Sequence, residues 1–280
     1  MSRTVLVLAA TGTTGREVVS ALLERGATVR AATRDPATAS LPAAATAVAF
    51  DLDDPATWGP AFAGIDALYF ALPPFRADEA AVGRAVLDAA RAAGVPRIVK
   101  LSAMGVEHAP ESAHRQLELH LEGLGVSWVV LRPTFFMDNF IHFYGDGVRQ
   151  GVLALPTGAG QTSFVSATDI GAVAAEALLG DEAGATWTLT GPESLTFGEA
   201  AARVGQAIGR PIRFIDVDPA EHVAQMQSWG LPPVAVQTLS GLYDMVRNNG
   251  ATGTVPTVER VLGRPATPLA DWARAHTGAW

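Results

Sequence analysis

Short apolar runs alternate with longer amphipathic stretches through the first half of the chain. The run at residues 5–9 is bounded by turn residues and is typical of a buried parallel strand. Similar runs predict strands at 28–32, 46–50, 67–71, 97–102 and 127–132. Apolar stripes at helical spacing predict helices at 15–25, 77–93 and 112–124. Such alternation implies right-handed crossovers and a parallel sheet covered by helices on both faces.

The alternation loosens after Pro133. A Gly-rich stretch at 145–160 precedes segments that predict further elements, namely helices at 168–179 and 196–208 and strands at 186–190 and 212–217. The chain contains no internal repeat and no long polar linker. We therefore predict an α/β fold, with a doubly wound parallel sheet over residues 1–145 and a smaller C-terminal lobe over 146–280. Both belong to one integrated domain.

Composition narrows the class of protein. The 280 residues are 49% hydrophobic and 17% charged, which is typical of a compact globular chain. The net charge of -8 disfavours a nucleic-acid binder. No segment offers the ~20 uninterrupted apolar residues of a membrane helix, and the first apolar run is too short for a signal peptide. We expect a cytoplasmic protein, monomeric or homodimeric, whose partner is a small-molecule substrate rather than nucleic acid or a membrane.

The counts of cysteine and lysine restrict the chemistry further. The chain has no cysteine, which excludes disulfides, thiolate nucleophiles and Cys-ligated metals. Among its 20 basic residues Lys100 is the sole lysine. Any lysine-dependent mechanism must therefore use Lys100.

A glycine-containing turn at residues 9–15 joins the first predicted strand to the first helix. In this context, backbone N–H groups at a helix N-terminus can face a pyrophosphate, and the helix dipole favours its charge. Gly12 permits close backbone approach, and Gly15 permits close packing of helix on strand. A plain strand–helix turn is the alternative. The candidate cofactor-binding residues here are Ala10, Thr11, Gly12, Thr13, Thr14 and Gly15.

This turn, with four other segments, resembles the atypical short-chain dehydrogenase/reductase superfamily in its NmrA-like branch. The family turn reads Gly-x-x-Gly-x-x-Gly, and this chain has Ala9 at the place of the first glycine. The other segments are residues 51–53, 131–134, 164–170 and 189–196, so the resemblance covers essentially the whole chain. It implies a Rossmann-like fold that binds NADP(H), with a C-terminal substrate lobe.

Residues after successive strands suggest how the cofactor is held. Arg34 follows the second strand, where the resemblance implies a partner for the 2′-phosphate of NADP(H). The alternative is a solvated loop arginine paired with Asp35. Asp51 and Leu52 follow the third strand and are expected at the adenine, although Asp51 also suits a loop in which Asp53 and Asp54 cap a helical turn. Further expected contacts are Ala71, Leu72, Pro73, Ser102, Pro133, Thr134 and Phe135.

The superfamily's Tyr-x-x-x-Lys pair is absent, because none of Tyr69, Tyr144 and Tyr243 has a lysine four residues on. Ser102 still ends the fifth strand, and His114 and Glu118 share one helix face at i and i+4. A carboxylate beside an imidazole raises its pKa, and such a pair can donate a proton. The three are our catalytic candidates, and an ordinary surface pair is the alternative.

The histidines do not predict a metal site. His108, His114 and His120 are six residues apart, which places their side chains on different faces of a helix. No HExxH-type arrangement occurs in the chain.

Aromatic residues concentrate after the sixth strand, at residues 133–140, in a chain that is 7% aromatic. They can line a pocket for a flat apolar substrate, or they can pack as core. The candidate substrate contacts are Phe75, Met104, Phe136, Phe140, Tyr144 and Trp229. The segment looks most like that of ergot-alkaloid-type iminium reductases, and next like that of quinone reductases.

The function implied is that of an NADPH-dependent oxidoreductase acting on a small conjugated apolar substrate: an iminium, enone or quinone. Two alternatives remain open at this point. The missing Tyr–Lys pair favours a non-catalytic NADP(H)-sensing regulator, and a redox-neutral isomerase on the same fold is also compatible with the sequence.

Overall fold

A computed structural model describes residues 3–280 of the chain, so the predictions that begin at residue 1 are considered from Arg3 onward. The strands of this span, in chain order, are β1 (Thr4–Val7), β2 (Thr28–Thr33), β3 (Thr46–Ala49), β4 (Ala67–Phe70), β5 (Arg97–Leu101), β6 (Ser127–Pro133), β7 (Phe135–Phe136), β8 (Val152–Leu155), β9 (Gln161–Val165), β10 (Ala185–Leu189), β11 (Ser194–Thr196) and β12 (Arg213–Asp216). The helices are α1 (Thr13–Glu24), α2 (Trp58–Phe62), α3 (Glu79–Ala92), α4 (Ala113–Glu122), α5 (Asn139–His142), α6 (Gly145–Gln150), α7 (Ala167–Leu179), α8 (Phe197–Ala207), α9 (Pro219–Ser228), α10 (Pro233–Arg247), α11 (Thr257–Leu262) and α12 (Leu269–Ala275).

Within residues 3–280, seven strands form the main sheet in the order β10-β6-β5-β4-β1-β2-β3. The pairs from β3 through β6 are all parallel. The strand order reverses at β1, which pairs with both β2 and β4. In an open parallel sheet, this switch point marks a crevice beyond the carboxyl ends of the strands, where ligands bind. The predicted doubly wound, Rossmann-like fold is confirmed.

Burial explains why these segments form strands and helices. The three central residues of β1 are fully buried, as expected for a strand covered on both faces. Leu6 and Leu68 alternate with their neighbours toward one face, where they join an apolar cluster with residues of α2, α3 and α4. The helix α7 packs against α1 and against β4, β5 and β6. The predicted strands and helices of the first half are confirmed to within about two residues at each end.

The chain divides into two compact units. The first takes in the chain up to Pro74, together with Asp78–Pro133 and Ala167–Thr188. The second takes in Phe75–Ala77, Thr134–Ser166 and Leu189–Trp280. The predicted boundary near residue 145 lies inside the second unit. The units interleave along the chain because α7 packs on the main sheet and β10 joins its edge.

The second unit has its own small sheets. Its strands form a three-stranded sheet in the order β11-β9-β7 and a parallel pair of β12 with β8, counted over the described span. The Gly-rich stretch at 145–160 contains α6 and β8, neither of which the sequence predicted. A set of rings in mutual contact, which we call the aromatic cluster, consists of Phe135, Phe140, Tyr144, Phe164 and Phe197.

Among the helices described from Arg3 onward, none is long and apolar enough to cross a membrane.

Candidate active site

The turn between β1 and α1 has the conformation that close approach requires. Ala9 adopts a left-handed backbone with φ +50°, and its carbonyl accepts a 2.9 Å hydrogen bond from the Gly12 N–H. This conformation costs a residue with a side chain roughly 1–2 kcal/mol, which glycine avoids. The turn therefore keeps the geometry of the glycine pattern although Ala9 replaces its first glycine.

Gly15 sets how closely α1 approaches β1. A Cβ at this position would overlap the carbonyl oxygen of Ala9, so only glycine fits without a backbone shift. At Gly12 an added Cβ would lie 3.2 Å from the same oxygen, which is a tight but smaller conflict. The structural reason predicted for Gly15 is thereby borne out, whereas its cofactor role stays a prediction.

The start of α1 fits an anion. Its N-cap, Gly12, supplies no side-chain hydrogen bond, and its first turn carries no acidic residue. The first N–H groups of a helix lack intrahelical partners, and the positive end of the dipole lies beside them. Thr11 and Gly12 are exposed to solvent. These residues present the donors that a pyrophosphate needs.

Arg34 is exposed directly after β2. Its exposure fits the alternative of a solvated loop arginine, but the ion pair with Asp35 in that alternative is not found, and Asp35 bonds within its own loop. Its carboxylate accepts hydrogen bonds from the Ala37 N–H at 3.0 Å and the Thr38 hydroxyl at 2.8 Å. No partner for the Arg34 guanidinium occurs among residues 3–280, so its fork of donors is available to a ligand.

In the loop after β3, the carboxylate and the backbone carbonyl of Asp51 both accept hydrogen bonds. One carboxylate oxygen of Asp51 accepts the Asp53 N–H at 3.0 Å, and the Asp51 carbonyl accepts the Trp58 indole N–H at 2.6 Å. Asp54 caps the 3-10 turn Pro55–Thr57, as the capping alternative expected for one of the two acids. Leu52 packs on the apolar cluster of the first unit.

The cofactor candidates described next lie after β4 and around the end of β6. Ala71 is buried after β4, Leu72 is half-buried and Pro73 is exposed. Pro133 ends β6, and its carbonyl accepts the Met104 N–H at 3.0 Å. Thr134 and Phe135 belong to the second unit, where the ring of Phe135 packs edge-on against Phe164 and Phe197. The structure therefore gives the Phe135 ring a packing contact.

Glu118 of α4 is the anchor of a buried polar network at the ends of β5 and β6. Its carboxylate is fully buried and accepts hydrogen bonds from the Ser102 hydroxyl at 2.6 Å and from Arg115 at 2.9 Å. Arg132 donates two more, at 3.0 and 2.6 Å, as a bidentate pair. Although desolvation opposes it, these hydrogen bonds lower the pKa of Glu118 to about 2. The network holds α4 against the sheet, and the Ser102 hydroxyl is engaged in it as a hydrogen-bond donor.

The predicted His114–Glu118 pair is corrected by this network. Because Ser102, Arg115 and Arg132 occupy the Glu118 carboxylate, Glu118 makes no hydrogen bond to the imidazole. The partner of His114 is Lys100, whose Nζ lies 3.3 Å from the imidazole Nδ1. Desolvation and the Lys100 ammonium lower the pKa of His114 and outweigh Glu118, which raises it as the sequence argument expected.

Lys100 itself is 1% exposed on β5 and also donates to the Leu101 carbonyl at 3.0 Å. Desolvation lowers its pKa to about 8, against the attraction of Glu118 and Glu79. Glu79, in the first turn of α3, places a carboxylate oxygen 3.7 Å from the same Nδ1 of His114. Burial raises the pKa of Glu79. These shifts favour a neutral imidazole and bring the pKa of Lys100 closer to neutral pH.

The contact with a charged Lys100 favours one tautomer of His114. An ammonium group only donates, so Nδ1 accepts from Lys100 and Nε2 carries the proton. The side chain of His114 is 41% exposed, so part of the ring can meet a ligand. The cluster of Lys100, His114 and Glu79 can thus hold a hydrogen bond to an electronegative atom and hold a second proton behind it.

The substrate candidates of the second unit differ in exposure. Phe140 is fully buried in the aromatic cluster, which supports the packing alternative for that residue. Phe136 and Tyr144 are half-buried, and the Tyr144 hydroxyl lies 3.4 Å from that of Tyr243. Phe75 meets Phe143 edge-on, with Phe75 at φ +65°. Trp229 is 62% exposed.

Sequence reasoning missed Glu79, and it did not connect Lys100 or Arg132 to the candidate site. One signal was present: a lysine inside the apolar run at residues 98–101 is a buried charge, which requires a partner. Glu79 gave no comparable signal, because an acid in the first turn of a helix is common.

The strand order, the glycine turn at the helix N-terminus and the polar cluster at the strand ends define a dinucleotide-binding α/β protein with acid–base groups. Residues 9–181 match the NAD(P)H-binding family. The chain is 33% identical to an NAD(P)H azoreductase of Xenophilus azovorans, over 99% of each chain. It is 34% identical, also over 99% of each, to the (4-alkanoyl-5-oxo-2,5-dihydrofuran-3-yl)methyl phosphate reductase of Streptomyces griseus.

Among solved structures, the NADPH complex of quinone oxidoreductase QOR2 from Escherichia coli superposes with a TM-score of 0.85. It is 24% identical and covers 97% of this chain and 99% of its own, a likeness that shows the fold. The chain belongs to the NAD(P)H-binding family. It is an NAD(P)H-dependent reductase.

Proposed function

We propose that this reductase uses NADPH to reduce a small, conjugated, apolar acceptor: an iminium, an enone or a quinone. The observation that carries the proposal is the partly exposed imidazole of His114, whose Nδ1 lies 3.3 Å from the Lys100 Nζ near the carboxyl end of β5. A neutral imidazole is a weak acid. It suits acceptors whose negative charge is delocalised after hydride addition, or iminium ions, which need no proton at all.

The relatives support this class of substrate. The two curated relatives are named for an azo compound and for an unsaturated lactone phosphate, and the solved neighbour for a quinone. All three names describe conjugated, electron-poor acceptors. The azo group is therefore included beside the three acceptor classes in the test below.

The cofactor site proposed here uses the ends of successive strands. The turn residues Ala10, Thr11, Gly12, Thr13, Thr14 and Gly15 would hold the pyrophosphate. Arg34 would hold the 2′-phosphate, and Asp51 and Leu52 the adenine. Ala71, Leu72, Pro73, Ser102, Pro133, Thr134 and Phe135 are proposed for the ribose and nicotinamide side. When bound, the nicotinamide supplies the hydride.

The catalytic candidates take different roles. His114 is proposed to donate its Nε2–H to the electronegative atom of the acceptor. Glu118 is fully buried and engaged by three side chains, so its proposed role is to position Ser102 and α4. The Ser102 hydroxyl donates its hydrogen bond to Glu118, so its oxygen is proposed to accept a hydrogen bond from a ligand.

Side chains that are not wholly committed to packing are proposed to contact the substrate. They are Phe75, Met104, Phe136, Tyr144 and Trp229. Aromatic and thioether groups provide flat, polarisable surface for conjugated molecules. Phe140 is proposed to support this surface from the aromatic cluster.

The test is NADPH oxidation, followed as loss of absorbance near ~340 nm, with a benzoquinone, a cyclic enone, a cyclic iminium and an azo dye. A saturated ketone of similar size serves as the control acceptor. We expect turnover with at least one conjugated acceptor and at least tenfold slower turnover with the saturated ketone. Equal rates with the ketone, or no oxidation of NADPH with any acceptor, would refute the proposal.

A further inference from the structure

The sole lysine of the chain lies in a buried, largely apolar environment that is unfavourable for a charged side chain. Lys100 is 1% exposed on a central strand. Its neighbours across β4 and β6 are Phe70 and Val130, both apolar. Burying an ammonium group in such a place is unfavourable unless polar groups receive its protons. Its Nζ contacts two acceptors, the Leu101 carbonyl oxygen and the His114 Nδ1.

The charged groups that face Lys100 come from three packed elements. They are Glu79 of α3, Glu118 of α4 and Arg132 of β6. The Glu118 carboxylate is already filled by Ser102, Arg115 and Arg132. No carboxylate lies within ion-pair distance of the lysine in the described part of the chain. The imidazole is therefore its one side-chain hydrogen-bond partner there.

Building on the proposed function, we propose that Lys100 is a positioning residue that acts through His114. It holds the imidazole in the Nε2–H tautomer, and it replaces the imidazole proton through Nδ1 when Nε2 has given one to the reduced acceptor. The Nζ atom lies 3.3 Å from Nδ1, and the His114 side chain is 41% exposed, so the ring has both a buried partner and a surface that can meet a ligand.

Each proton moved along this path has a source and a destination. As hydride adds, a quinone or enone takes on negative charge and needs one proton. The Nε2–H bond of His114 breaks as the acceptor O–H or C–H bond forms. An N–H bond forms at Nδ1 as one Nζ–H bond of Lys100 breaks, which leaves a neutral amine and a neutral imidazole. After the product leaves, Nε2 takes a proton from water, and the Nδ1 proton returns to Lys100.

This proton path is needed by some acceptors and not by others. An iminium becomes a neutral amine on receiving hydride and needs no proton. Loss of Lys100 should therefore slow the quinone or enone and spare the iminium. Without the lysine, proton donation from a neutral imidazole would leave an imidazolate, which is strongly unfavourable. A purely structural lysine would affect all acceptors alike.

The test compares the NADPH complex of the wild type with Lys100→Met, which keeps a long apolar stem and removes the ammonium group. We expect kcat for a quinone to fall at least tenfold and kcat for a cyclic iminium to change less than threefold. Equal losses on both acceptors, or no loss on either, would overturn the proposal. If the wild type oxidises NADPH with neither acceptor, the proposed function itself fails.

A second measurement uses the folded wild type and no turnover, in case Lys100→Met does not fold. Nitrogen-15 NMR of the histidine rings, with His114 assigned by its loss in His114→Phe, reports the tautomer at pH 7. We expect the Nε2–H tautomer with Nδ1 as acceptor. An Nδ1–H tautomer or a charged imidazolium would overturn the proposal whatever the activity shows.

Discussion

Lys100 makes the stability of the fold depend on pH in a way that can be calculated. Burial holds its pKa at about 8 in the folded protein, against 10.5 ordinarily. Between these two values the unfolded chain binds more protons than the folded one, so stability rises with pH from about 8 to about 10.5. At ~1.4 kcal/mol for each tenfold change, the full rise is about 3 kcal/mol.

The assay is urea unfolding of the wild type and of Lys100→Met at pH values from 7 to 11. We expect the wild type to gain about 3 kcal/mol relative to the variant over this range. The difference curve cancels the contribution of the three tyrosines, whose pKa values desolvation raises and which act in the opposite direction above pH 10. Arg91→Met, at an exposed arginine in the last turn of α3, is the control and should give a flat difference. A flat curve for Lys100→Met would refute the calculated effect of burial.

Three further predictions concern the network, the turn and the cofactor. Glu118→Gln should destabilise the protein by about 3 kcal/mol at pH 7; because the pKa of Glu118 is depressed, this difference should vanish as pH falls from about 4.5 to about 2 in urea titrations. Gly15→Ala should cost about 1–3 kcal/mol in the same assay, since its Cβ overlaps Ala9, and a fully stable variant would contradict the packing argument. Arg34→Ala should weaken NADPH binding about 10–100-fold and leave NADH binding unchanged, with Arg91→Ala as control; an unchanged NADPH/NADH affinity ratio would contradict the assignment.

The sheet and its helices follow directly from the hydrophobic pattern. Residues of β1 and β4 are buried on both faces, so their segments are continuous apolar runs, and α1 ends just before Gly26, at φ +73°. The close contact at Gly15 was predictable for the same reason, because strand, turn and helix are consecutive in the chain. Local sequence carries this information, since each of these contacts joins near neighbours.

The partner of His114 was not predictable in this way. Spacing at i and i+4 places His114 and Glu118 near one another, but it does not determine which partner each side chain takes. Glu118 binds Arg132, which is 14 residues away on the strand β6. His114 meets Lys100 across a similar separation. Such choices depend on competition among donors brought together by the fold, and a helix pattern does not contain them.

The measurement that tests the central claim most directly is single-turnover oxidation of NADPH by a quinone in the wild type and in His114→Phe at pH 7. The phenylalanine keeps the ring and removes both nitrogens. General acid catalysis is worth about 10²–10⁴-fold, so we predict a loss of at least 100-fold with NADPH affinity unchanged. Equal single-turnover rates in the two proteins would contradict the account.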